Sequence, residues 1–481
     1  MLRGSTVSSE TGLQDDKKKT VSVITVPLAS DSDKCDPKSK GGFEVKLTKT
    51  QTATTGDAPH HNEAGPARIS DATLLHGEID EQFPEGGIRA WLVVFGCWLA
   101  LFASLGLMNS LATFKTYVAT NQSIHLGPSI VGGAIFGYAS LSFLLGVYAG
   151  PLFDKYGPRW LLLASTAFMV ASLLLSSTSS EFGHILTALG VLSSLASPLL
   201  FTPSIAAIGH FFKRRRGLAT GIATTASSAS GVVFPFILQA LFVRVGWAWA
   251  LRALALICLS LTVAANFLIR SRLPAAQNAS PHPHARIFRT RGFTPTAVAV
   301  FLAQFASFLP LSYMSSYALS RGFSEAFSFQ VVAILNASSA IGRIAAGGRR
   351  QDRPFQCQRG VLRPRRPGVF WRLAPGRRHR AGHHRLRVLF GCASGGSVSL
   401  APVSVGRLCK TQEYGRYYGA CYTIASLVVL FAIPVAGQLV RVDGGSYWGL
   451  IVTTGVFYVA AVVAFAAAKV SVVGRRVWAA F

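Results

Sequence analysis

Apolar residues recur along this chain in long unbroken runs, each of the length (about 20 residues) that a helix needs to cross some 30 Å of hydrocarbon. The runs cover residues 91–114, 129–152, 158–178, 183–209, 217–242 and 247–269, then 292–318, 324–347, 388–408, 416–440 and 446–470. Eleven spanning helices are predicted. A polar connection, residues 270–291, separates the first six from the rest, and a conspicuous gap at 349–387 stands where a twelfth span belongs. Residues 1–84 are rich in Thr, Ser, Lys, Asp and Gly without apolar periodicity, the composition of a disordered tail.

Composition agrees with this pattern. The chain of 481 residues is 50% hydrophobic and 14% charged, with a mean hydropathy of +0.40, whereas soluble domains carry about 25% charged residues. This is the composition of an all-α integral membrane protein. The net charge of +27 does not point to nucleic acid, because thirteen arginines and one aspartate crowd into 349–387. Elsewhere the basic residues fall in alternate loops: Lys155 and Arg159, then Lys213, Arg214, Arg215 and Arg216, then Arg270, Arg272, Arg286, Arg289 and Arg291. That is the bias of loops on the cytoplasmic side, and it puts the tail there too. With eleven spans the later basic flanks (Arg407, Lys410, Arg416, Arg475, Arg476) would face outward, so parity asks for one more crossing in the gap.

Arginine at the bilayer centre costs about 2.5 to 3.5 kcal/mol on insertion scales, so 349–387 is no span as written. Read one nucleotide later, arginine codons of the form CGN become codons for Val, Ala, Gly, Asp or Glu. The basic run becomes aliphatic, the signature of a compensated frameshift or a misplaced splice boundary. The contrasting reading is a genuine basic cytoplasmic loop.

The two halves echo each other. Arg216 precedes a span broken by Pro235, Arg416 precedes one broken by Pro434, and Pro198 and Pro203 have a counterpart in Pro402. Weak internal symmetry of two six-span halves is what a secondary transporter shows. Seven scattered cysteines without a CxxC pair indicate neither a zinc site nor a disulfide framework. No catalytic constellation, phosphate loop or metal-ligand spacing is present, so neither an enzyme, a cofactor nor a metal is expected.

The second connection reads Gly150-Pro151-Leu152-Phe153-Asp154-Lys155-Tyr156-Gly157-Pro158-Arg159. Its glycines allow close helix approach, and Asp154 is expected at the positive N-terminal end of span three. The stretch resembles the signature loop of the major facilitator superfamily, in which Gly150, Asp154, Gly157 and Arg159 would form a conformational latch. Glu85-Gly86-Gly87-Ile88-Arg89-Ala90-Trp91 and Phe211-Phe212-Lys213-Arg214-Arg215-Arg216-Gly217-Leu218-Ala219-Thr220-Gly221 are similar to the two hallmarks of the monocarboxylate-porter family, nearest its fungal branch. The second hallmark places Lys213, Arg214, Arg215 and Arg216 in a cytoplasmic loop motif.

The resemblance implies the major facilitator fold, two six-helix halves with one span lost or garbled at 349–387. It divides the chain into a tail (1–84), an N-terminal half (85–270), a linker (271–291), a C-terminal half (292–473) and a cytoplasmic end (474–481). The substrate-path lysine of animal porters falls at Asn109, the aspartate before their span-eight arginine falls at Ser339, and the arginine is kept as Arg343. Arg343 is the candidate for contact with an organic anion, against a bland reading in which it snorkels to headgroups. Asn336 and Tyr313 join it as substrate-path candidates, and Tyr138, Tyr317, Tyr418 and Tyr422 as lining residues. With no carboxylate in the middle of a span, proton coupling is left open. Asn121-Gln122-Ser123 is a glycosylation sequon on an outside loop.

The expected function is alternating-access transport of a small organic acid or related metabolite in the plasma membrane. Export of a secondary metabolite is the alternative. A non-transporting sensor, or an inactive product of a shifted frame, are the readings from other classes.

Overall fold

The computed structural model describes residues 83–121, 128–179, 181–273, 280, 282–320, 325–348 and 380–473. Among these residues every regular element is helical, as it must be where no water satisfies the backbone. In chain order the helices are α1 (Ile88–Asn109), α2 (Leu111–Asn121), α3 (Pro128–Tyr156), α4 (Pro158–Thr178), α5 (Ser193–Phe211), α6 (Arg216–Leu268), α7 (Phe293–Ser320), α8 (Glu325–Gly348), α9 (Arg380–Gly406), α10 (Tyr414–Val442) and α11 (Trp448–Val473). Seven helical stretches among the described residues are long and apolar enough to cross a membrane.

Hydropathy located these helices because each apolar run falls almost wholly within helix, although run 91–114 is shared by α1 and α2 and runs 217–242 and 247–269 share α6. The break expected between 242 and 247 falls at Gly246, whose φ of 73° is open to glycine and strained for other residues. There α6 divides into two arms, the fifth and sixth spans. Leu186–Leu192 winds as a π-helical turn ahead of α5, and Pro198, Pro203, Pro235, Pro310, Pro402 and Pro434 sit inside helices. Each proline removes a backbone donor, a recurrent device for bending spans. Of the basic stretch 349–387, residues 349–379 lie outside the described residues, and 380–387 are the first turns of α9.

Packing sorts most of the helices into two groups. α1, α4, α5 and α6 pack together with α3, and α7, α8, α9 and α11 with α10. Several pairs bridge these groups: α6 touches α9, α5 touches α10, and the two most extensive are α3 against α10 and α6 against α8. Both run on small residues: a Cβ on Gly150 would overlap the Gly415 carbonyl, and one on Gly347 would overlap that of Gly217. Backbones this close gain dispersion contacts that larger side chains would prevent.

Candidate functional site

The sequence places Asp154 in the loop after span two and predicts that it serves the helix that follows. The structure corrects that expectation. Asp154 Oδ1 accepts the Gly415 backbone N–H at 3.0 Å and Oδ2 accepts that of Arg416 at 2.9 Å, so the carboxylate caps α10 in the opposite half. The first turn of a helix has unsatisfied N–H groups and a partial positive charge, and α10 receives its anion from across the boundary. Asp154 is buried there, and desolvation pushes its carboxyl up to about 7, against the two amide bonds and the Arg416 charge that pull it down. Gly157 carries a φ of 75° between α3 and α4, and Arg159 is exposed.

A second carboxylate does related work at the start of α6. Glu85 accepts backbone N–H groups from Lys213 at 2.9 Å, from Arg214, and from Arg215 at 3.0 Å, while its own N–H donates to the Phe211 carbonyl at 3.2 Å. The two motifs that resemble the porter hallmarks, 128 residues apart, are therefore one structural unit. The side chains of Lys213, Arg214 and Arg215 stay exposed. Arg216 differs from its neighbours: it is buried, its guanidinium lies 3.9 Å from the Tyr414 ring centroid, and it fills a slot between Gly209 of α5 and Gly406 of α9.

From Tyr414 a ladder of tyrosines climbs α10, with Tyr414 and Tyr418 at 5.6 Å and Tyr418 and Tyr422 at 4.5 Å between centroids. Phe201 of α5 meets both Tyr418 and Tyr422, and Phe143 of α3 meets Tyr422. All three tyrosines are buried. Together with the Asp154 cap, this aromatic seam joins the halves at the end that carries the basic loops.

Deeper in the bundle α6 collects the candidates from both halves. Arg343 is buried and donates through Nη1 to the Thr224 carbonyl of α6, so it does not snorkel to headgroups. Asn109 Nδ2 donates to the Ser227 carbonyl at 3.1 Å. One turn further along α6, a Cβ on Gly231 would stand 3.1 Å from Asn109 Nδ2 and 3.5 Å from Asn336 Nδ2. The stripe of small residues that the sequence marks as packing thus also presents carbonyls to polar side chains of α1 and α8.

The remaining candidates do not join this group. Ser339 is buried with its hydroxyl against Gly395 of α9, and Tyr313 of α7 lies against Gly437 of α10. Tyr138 bonds Ser197 at 2.6 Å inside the N-terminal half, and Tyr317 meets Tyr447 edge to face with centroids 5.3 Å apart. Asn121 is the last residue of α2, and the rest of its sequon lies outside the described residues. Sequence reasoning missed Gly231 and the Arg216 slot. Only the proximity of glycine to a polar residue on another helix reveals them.

Two groups of long apolar helices, joined by glycine contacts and the Asp154 cap at one end and turning polar side chains towards a common helix, have the form of a multi-pass membrane protein. The sequence profile of the Major Facilitator Superfamily matches residues 97–370. An MFS-type transporter of Gibberella moniliformis is 31% identical over 402 residues, covering 82% of this chain and 94% of that one. The fujikurins efflux protein of Gibberella fujikuroi is 31% identical over 445 residues, covering 88% and 90%. The human organic anion transporter MFSD10 shares the fold with a TM-score of 0.61 at 16% identity, covering 80% of this chain and all of that one. The chain belongs to the Major Facilitator Superfamily, and it is a transporter of small molecules.

Proposed function

We propose that this transporter moves a small organic acid or a related metabolite by alternating access, with Arg343 contacting its anionic group. The observation that carries this reading is the position of Arg343, buried where α8 meets α6, with one guanidinium nitrogen on the Thr224 carbonyl. A cation held inside a bundle needs a counter-charge, and no Asp, Glu or second basic residue occurs between Ala100 and Asn109, Thr224 and Phe234, or Leu335 and Gly342. A substrate carboxylate or enolate would supply that charge as charge-assisted hydrogen bonds. In this reading residues 85–270 and 292–473 are the two rocking halves, the basic loops face the cytoplasm and the plasma membrane is the site of action.

A second reading, export of a secondary metabolite, is favoured by a specific feature. Asn109 and Ser339 stand where the animal porters have charged residues, and a 31% identical relative is an efflux protein. Flux in proteoliposomes tests both. Substrate-dependent counterflow that disappears in Arg343→Gln supports transport through this path. Ligand binding without flux would make the chain a sensor, and counterflow untouched by Arg343→Gln would remove the assigned role.

A further inference from the structure

Three neutral groups converge where the halves meet. Asn109 lies at the end of α1, Gly231 in the first arm of α6, and Asn336 in α8 of the opposite half. Gly106, one turn before Asn109, leaves room for the Phe234 ring, one turn after Gly231. That fit presses α1 onto α6, and the bond to the Ser227 carbonyl orients the Asn109 amide. Asn109 is nevertheless exposed, although it faces α6 and α8, so the space before it is open. Asn336 is partly exposed and makes no hydrogen bond among the described residues. Gly231 lies between them, and any side chain there would occupy the gap.

We propose that Asn109, Gly231 and Asn336 form a neutral subsite that reads a cis-amide group of the substrate, a lactam, an imide or a 2-pyridone. A primary carboxamide offers a donor and an acceptor side by side in one plane, and its natural complement is another N–H and C=O held in the cis arrangement. Asn336 has both groups free among the described residues. Asn109 has spent one N–H on Ser227 and keeps its carbonyl oxygen as an acceptor. Gly231 keeps the space between the two amides clear of a side chain.

Charge does not compete here. On α8, Arg343 follows Asn336 by seven residues, about 10 Å along a helix, and its Nη1 is held by Thr224. A ligand entering the open space therefore meets neutral amides before it meets the cation. This inference rests on the transport reading and narrows its substrate: an acidic metabolite that also carries a ring amide would span both points. Sites built to hydrogen-bond a substrate reject analogues that lack the group, because their own polar atoms are then left unpaired.

The test uses the full chain in lipid nanodiscs and equilibrium dialysis with matched probes: 4-hydroxy-2-pyridone against its N-methyl form, riboflavin against 3-methylriboflavin, and benzoate as an acid without an amide. The unmodified protein is expected to bind at least one N–H probe 10-fold or more tightly than its N-methyl partner. Asn336→Leu and Gly231→Ala should each reduce that ratio below about 2-fold, with helix content and melting temperature recorded to show that both variants fold. Equal binding of N–H and N-methyl probes by the unmodified chain overturns the subsite, as does a ratio preserved in both variants. Binding of benzoate without either amide probe overturns the subsite and leaves the transport reading standing. Binding of no probe at all overturns both.

Discussion

The Asp154 carboxylate and the Arg416 amide, 2.9 Å apart, join the loop after the second span to the first turn of α10 in the other half. Gly150 and Gly415 touch beside this bond, and the Gly146 carbonyl would stand 2.6 Å from a Cβ on Gly419. We propose that this contact acts as a latch that holds the basic-loop end of the bundle closed, built from a carboxylate on one half and a helix N-terminus on the other.

Closure should take up a proton at Asp154. An exposed Asp carboxyl titrates near 3.9, whereas burial in the closed arrangement raises this one to about 7, with Arg416 and Glu413 as the charged neighbours. A raised value means that the closed form binds more protons, so closure is favoured as pH falls through 7 and the gain is complete below about 4. Spin labels at the exposed positions Arg214 and Gln412 should report a larger closed population at pH 5 than at pH 8. Asp154→Asn should flatten that dependence. An unchanged pH profile in the variant would exclude Asp154 as the titrating group.

Glycine contacts make the latch steric as well as electrostatic. Gly150→Ala puts a methyl group into the Gly415 carbonyl, a backbone atom that cannot swing aside. Separation of α3 from α10 and a transport rate at least 10-fold lower are expected, with the same spin labels reading the open form. Gly347→Ala, against the Gly217 carbonyl, should reproduce the defect from the α6 and α8 side.

Glu85→Ala leaves three backbone N–H groups without their acceptor. Capping losses cost about 0.5 to 2 kcal/mol, and three donors on one carboxylate argue for the upper part of that range. Thermal unfolding in detergent should show a lowered melting temperature, with Glu85→Gln intermediate because its amide oxygen still accepts. A Glu85→Ala protein as stable as the parent would show that solvent replaces the cap.

Arg216 should not tolerate lysine. The slot between Gly209 and Gly406 accepts a flat guanidinium, and the Tyr414 face stabilises it by roughly 2 kcal/mol when desolvated. Arg216→Lys keeps the charge and loses the stack, so stability and transport should both fall. Arg215→Lys, on an exposed side chain one residue earlier, should change neither.

Resequencing the transcript across residues 340–395 should reveal paired shifts that restore an apolar ninth span. An uninterrupted read encoding the same thirteen arginines would establish the basic segment as genuine. A frame-restored chain is expected to gain flux over the chain as written.

Hydropathy alone was enough to locate the helices, their order and the break at Gly246, because solvation by hydrocarbon acts on each segment independently and leaves a local, one-dimensional record. The same record carried the bias of basic loops and the two hallmark motifs. Which polar groups meet is a different kind of information. Asp154 follows span two yet caps α10, Glu85 reaches loop amides beyond residue 210, and Ser339 and Arg343, four residues apart on α8, face different helices. Asn109 and Asn336 are brought to Gly231 from opposite halves. Only the packing of one helix against another decides such pairings, because the distance between two side chains depends on crossing geometry and on where glycine lets backbones approach, and neither leaves a periodic trace along the chain.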